Sequence, residues 1–171
     1  MRGGAQAGFS MIEALVALLV LSLGLLALAG FQIRVLSDSV GASNQSIAMQ
    51  LAGDMADRIR ANPVASAAAA SPYVVDWSPA DEEEPKPSCV SASCNAAELA
   101  AHDLWSWKRA VAAALPGGLA DVQEKATAGG MLFMHIAWDE PSVLNPIAPD
   151  AGWGCPNDKA CLEVSVAVPQ P

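Results

Sequence analysis

Apolar and polar positions divide the chain into stretches of different period. Ala14 to Phe31 (ALVALLVLSLGLLALAGF) runs eighteen residues without a charge, an amide or a proline. As a helix that run is just long enough to cross about 30 Å of hydrocarbon. Beyond it the pattern narrows to one stripe. Ile33, Leu36, Val40, Ile47, Leu51, Met55 and Ile59 fall three, four or seven apart, with Asp38, Asn44, Asp54 and Arg58 off the stripe. No proline occurs before Pro63, and all twelve follow from there. One helix is therefore predicted from near Phe9 to Asn62, about 80 Å long at 1.5 Å per residue. It stops where Pro63 pushes the preceding residue out of the α region. Arg58 and Arg60 in its last turn meet the negative end of the helix dipole, and Asp54 and Arg58 are spaced for an i,i+4 pair.

The remainder reads as a small mixed domain. Ala65 to Pro87 holds an alanine run, four prolines and the acidic cluster Asp81-Glu82-Glu83-Glu84. Its composition is that of a solvated connection, with a short strand over Tyr73 to Trp77. The cluster lacks the alternating ligand spacing and turn glycine of a calcium loop. Asn95-Ala96-Ala97-Glu98 has the form of a capping box, so a second helix should start there. Leu104, Trp107, Val111 and Leu115 form its apolar face, and Pro116-Gly117-Gly118 ends it. Met131 to Trp138 and Leu162 to Val168 have strand composition, the second alternating strictly. A Pro- and Gly-rich loop from Asp139 to Gly154 separates them. The expected fold class is α+β: one long amino-terminal helix, transmembrane in its first half, then a small head with a second helix and a short antiparallel sheet.

Composition sharpens this outline. Eighteen acidic residues against nine basic leave a formal charge of −9 in 171 residues, which argues against a nucleic-acid surface. Mean hydropathy is +0.31, and it is concentrated at one end, where Glu13 is the sole charged side chain between Arg2 and Arg34. A carboxylate at the head of a membrane-length run is costly, on the order of 2.5–3.5 kcal/mol at a helix centre and less toward an end. Its place in the first turns lowers that cost, because the positive end of the dipole favours an anion. A cation would lower it further. Cleavage between Gly8 and Phe9 would put a free amine about 6 Å along the helix from Glu13. A secretory signal cut after Ala29, at the small-x-small Ala27-Leu28-Ala29, is the plain alternative. Against it stand a single leader cation and the carboxylate itself.

Gly8-Phe9-Ser10-Met11-Ile12-Glu13 followed by an apolar helix resembles the leader and helix start of type IV pilins and of the pseudopilins of type II secretion. The resemblance implies that a prepilin peptidase cleaves after Gly8 and methylates the amine of Phe9. Glu13 then becomes the fifth residue of the processed chain and pairs with the amino terminus of an adjacent subunit. A departure is the weakly basic leader, which carries Arg2 alone. Farther on, Asp57-Arg58-Ile59-Arg60-Ala61-Asn62-Pro63, the first cysteine pair, and His102-Asp103-Leu104-Trp105-Ser106-Trp107-Lys108 running to Leu115-Pro116-Gly117-Gly118 resemble minor pilins of the PilV type. By that likeness residues 1–8 are a leader, 9–33 the transmembrane and assembly half of the helix, 34–62 its periplasmic amphipathic half, and 63–171 the head. The implied place is the inner membrane, amino terminus cytoplasmic and head periplasmic, then the pilus and cell surface. Implied partners are the prepilin peptidase, other minor pilins, the major pilin, the inner-membrane assembly platform and, before assembly, lipid. Implied roles are pilus assembly and initiation, adhesion and twitching motility.

Cys89, Cys94, Cys155 and Cys161 all lie in the head. In an oxidising periplasm their even number suits two disulfides. Three pairings are open, and the short intervals make Cys89–Cys94 and Cys155–Cys161 local bridges. A four-thiolate zinc site is the rival, with looser spacing than zinc knuckles have. Two histidines, His102 on the second helix and His135 in a strand, stand apart in sequence and read as structural or exposed. Trp107 reads as core and Arg60 as a helix-end cation. Gly24 and Gly30 mark either close helix packing or points where the helix loosens during assembly. No nucleophile motif, phosphate-cradling loop or metal-spaced histidine pair is present, so neither an enzyme nor a cofactor is expected. A type II secretion pseudopilin and a membrane-tethered periplasmic binding module are the alternative functions.

Overall fold

The structure is a computed structural model and describes residues 10–124, 130–140 and 154–168. Helix α1 spans Met11–Ala61, and a single turn, α2, follows at Pro63–Ser66. Helix α3 is Ala96–Ala114. Strands β1 (Leu119–Glu124), β2 (Met131–Trp138) and β3 (Ala160–Ala167) form an antiparallel sheet in the order β1-β2-β3. The α+β, pilin-like fold expected from the sequence is the one observed.

The chain divides into two compact units, Met1–Val40 and Gly41–Pro171. In the first, the described residues from Met11 onward are helix, and every large apolar side chain from Met11 to Val40 is exposed, none less than 47%. Ser22 is the polar interruption, and its hydroxyl donates to the Leu19 carbonyl at 2.8 Å. This back-bond satisfies the group within the helix.

The second unit buries its own core. Met55 and Ile59 of the predicted stripe are fully buried and Ile47 and Leu51 half-buried, whereas Ile33, Leu36 and Val40 belong to the first unit and are exposed. The buried face of α1 runs instead through Asn44, Ala48, Ala52, Met55, Ala56 and Ile59. Its alanines leave room for a large partner. Trp107 of α3 is completely buried, and its indole nitrogen donates to the Leu51 carbonyl at 2.9 Å. The predicted core face of α3 is borne out at Leu104, Trp107, Val111 and Leu115.

Asn95 caps α3 as the sequence indicates. Its side chain accepts from the amides of Ala97 and Glu98 at 3.0 and 2.9 Å, and Glu98 accepts from the Asn95 amide at 2.8 Å. At the other end Gly117 turns the chain with φ +56°. A Cβ on Gly118 would strike the Val111 carbonyl, so a side chain is excluded there.

Three expectations are corrected. The stretch after α1 is not a solvated connection: Ala65, Ser66 and Tyr73 are buried. Side chains of α3 hold its later backbone, with Trp105, Lys108 and Arg109 donating to the carbonyls of Asp81, Asp76 and Glu82. The strand expected over Tyr73 to Trp77 is reduced to one bridge, Val75 to Val122. Finally, β1 was not foreseen, because Leu-Ala-Asp-Val-Gln-Glu carries a single β-branched residue.

Candidate functional site

Gly8 and Phe9 lie outside the described residues; Glu13 lies within them. The Ser10 carbonyl accepts from the amides of Glu13 and Ala14 at 3.0 and 3.2 Å, which closes the first turn of α1 around the carboxylate. Glu13 is exposed there, at the positive end of the helix dipole. Among the described residues of this unit the next cation along the chain is Arg34, about 30 Å farther along the helix. Among the described residues of this unit, no cation lies near enough to neutralise Glu13. The helix that follows is long and apolar enough to cross a membrane. A Cβ on Gly24 or Gly30 would meet nothing within 4 Å, so no packing among the described residues of this unit requires those glycines.

In the second unit, the end of α1 carries a buried polar network. Asn62 accepts from the Ala65 amide at 3.4 Å and so caps α2, with Pro63 at the position where its missing N–H costs nothing. The Asn62 amide nitrogen donates to the Ala96 carbonyl at 2.8 Å and to the Tyr73 hydroxyl at 3.2 Å. Tyr73 donates to Asp103 at 2.9 Å, and the other oxygen of Asp103 accepts from Arg58 at 3.1 Å. Arg58 also holds Asp54 at 3.0 Å, the i,i+4 pair read from the sequence. Burial pushes the Tyr73 hydroxyl well above the ordinary phenol range. Burial alone would lower the Arg58 value, but attraction to Asp54 and the bonds to Asp103 and Asp54 outweigh it and raise it. Asn62-Pro63 is thus both a helix stop and a clamp on the start of α3. Arg60 pairs with Asp57 at 2.9 Å at the surface, in keeping with a helix-end cation.

The cysteines form Cys89–Cys94 and Cys155–Cys161, with Cα separations of 5.5 and 6.3 Å. These are the two local pairings, and the zinc alternative is not adopted. The first bridge lies beside α3, where Cys89 Sγ is 3.7 Å from the Glu98 carbonyl. The second ends in β3. Near it Lys159 bonds the Gly117 carbonyl at 2.8 Å and Asp139 at 2.6 Å, joining the turn after α3 to the sheet.

His102 lies 3.5 Å from Glu84 on the surface of α3. His135 is not isolated, as its sequence context suggested, but is flanked by Asp121 and Glu163 on the neighbouring strands. The strict alternation of β3 could have pointed to Glu163. Asp121 was hidden with the unread strand that carries it.

Comparison with known proteins adds family information. Residues 4–29 match the prokaryotic N-terminal methylation motif. Residues 30–105 match the family model of the type IV pilin Tt1218, from within α1 through the network and the first disulfide to the middle of α3. No curated protein and no solved structure matches the chain. The methylation motif and the pilin match, the latter over less than half of the chain, together support a structural subunit of pilin or pseudopilin type.

Proposed function

We propose that this protein is a minor pilin, cleaved between Gly8 and Phe9, methylated on the Phe9 amine and built into a type IV pilus through its apolar helix. One observation carries the reading: an acidic first-turn residue, Glu13, heads a helix whose apolar surface finds no cover among the described residues of its own unit. Lipid covers that surface before assembly, and the helices of other pilins cover it in the fibre. Glu13 sets axial register by neutralising a neighbour's Phe9 amine, because an unpaired carboxylate in an apolar medium is expensive. Arg2 keeps the amino terminus on the cytoplasmic side, so the head lies in the periplasm, where its disulfides form. In this reading residues 1–8 are the leader, 9–33 the membrane and assembly half of the helix, 34–62 its periplasmic half and 63–171 the head. The partners are the prepilin peptidase, the major pilin, other minor pilins and the assembly platform, and the roles are pilus initiation, adhesion and twitching motility.

The test is Glu13→Ala. Membrane insertion of the variant stays as in the wild type, while its share in pili sheared from cells falls several-fold. Normal incorporation contradicts the register role. Recovery of the wild-type protein in sheared pili also separates a pilin from a secretion pseudopilin.

A further inference from the structure

The sheet of the head carries a charged layer, buried at Asp121 and His135 and half-buried at Glu163, that the assembly reading does not use. Asp121 of β1 stands opposite His135 of β2, which stands opposite Glu163 of β3. Directly paired residues of adjacent strands share a face, so the three side chains meet. His135 is fully buried and Asp121 is 1% exposed. The imidazole Nδ1 is 2.5 Å from Asp121 Oδ1, and Nε2 is 3.0 Å from Glu163 Oε2. The second oxygen of Asp121 accepts from the Gln123 amide at 2.5 Å. The Trp77 ring lies 6.1 Å from the imidazole. From α3, the buried Lys108 ammonium is attracted by Asp121, Asp81 and Asp76 and is bonded to the Asp76 carbonyl and Ser78 hydroxyl.

Counting hydrogens gives the inference. An ionised carboxylate only accepts, and a neutral imidazole donates from one nitrogen while the other accepts. Two nitrogen–carboxylate contacts on one ring require two hydrogens. The cluster must hold one proton beyond those of a neutral histidine and two carboxylates. We propose that Asp121, His135 and Glu163 form a proton-held clasp, in which the second ring N–H of His135 ties all three strands together and its loss loosens the sheet. Losing it sets a nitrogen lone pair of the fully buried ring against a carboxylate oxygen of the half-buried Glu163, which is unfavourable. The folded state then holds a proton that the unfolded chain releases near the ordinary imidazole value of about 6.5. The clasp's contribution is therefore whole below that value and is lost as pH rises to where the folded cluster gives up its proton.

The experiment uses the full chain in detergent micelles with ¹⁵N-labelled histidine, His135→Gln identifying the ring. At about pH 7.5, where a free imidazole is mostly neutral, both ring nitrogens of His135 should carry hydrogen. The melting temperature of the wild type should fall by about 5 °C or more from near-neutral to mildly alkaline pH, while His135→Gln shows no such fall. Should His135→Gln not fold, Glu163→Gln serves. With a neutral acceptor at that position, the ring should lose its second proton about one pH unit or more lower. A singly protonated ring at about pH 7.5 in the wild type, or an unchanged titration in Glu163→Gln, overturns the proposal.

Discussion

The two ends of α1 solve opposite problems with one backbone. From Met11 to Val40 the large side chains Leu, Val, Ile and Phe point outward on every side and nothing among the described residues of that unit covers them. From Gly41 to Ala61 the covered face is built of Ala48, Ala52 and Ala56 with Met55 and Ile59, which share one buried core with Tyr73, Trp107 and the sheet, and Trp107 of α3 bonds the Leu51 carbonyl. The first region displays apolar surface for something outside the chain, whereas the second consumes its own. Burial stabilises only where a partner exists, so the sequence with more apolar side chains is here the one with less structure of its own.

That contrast can be broken from either side. The largest effect is expected for Trp107→Ala, which empties the space between α3 and the alanine face and removes the bond to Leu51. It should cost about 3–5 kcal/mol of head stability in a denaturant titration of the micelle-held protein. Retention in the membrane fraction should not change. Leu21→Asp acts on the other region. A carboxylate in mid-span should weaken membrane insertion by about 2.5–3.5 kcal/mol, while the denaturation midpoint of the head stays put. If either substitution shifts both readouts, the two regions do not stand independently.

A smaller effect sharpens the account of the second region. Tyr73→Phe removes a donor from the buried Asp103 and should cost about 1–2 kcal/mol. Because burial raises the Tyr73 value, its neutral form favours the fold. That contribution is whole below the ordinary phenol value of about 10 and is lost as pH rises toward the folded value. Above about pH 10 the wild type should lose stability more steeply than Tyr73→Phe, as thermal melts across that range will show.

Features that depend on neighbours in sequence were legible. The Asn95 cap, the Asn62-Pro63 stop, the apolar run and the core face of α3 each follow from spacing and local chemistry, and each is found. What was missed depends on pairing across distance. β1 has weak strand composition and is held by β2 on one side and the Val75 bridge on the other. Asp103 stood in the sequence only as part of a quoted motif, yet it receives Arg58 and Tyr73 from positions 45 and 30 residues away. His135 became part of a cluster only once the strand register was known. At the candidate assembly site the motif was plain in the sequence, and the structure adds the place of Glu13 in the first turn and its distance from any described cation.

In the proposed pilin the carboxylate at the start of the apolar helix is matched by an amine newly exposed at Phe9. Mass spectrometry of the amino-terminal peptide, from protein isolated from its own cells, tests it directly. The expected result is a chain that begins at Phe9 with a methylated amine. A chain that retains residues 1–8, or one that begins at Gly30 after cleavage behind Ala29, contradicts it.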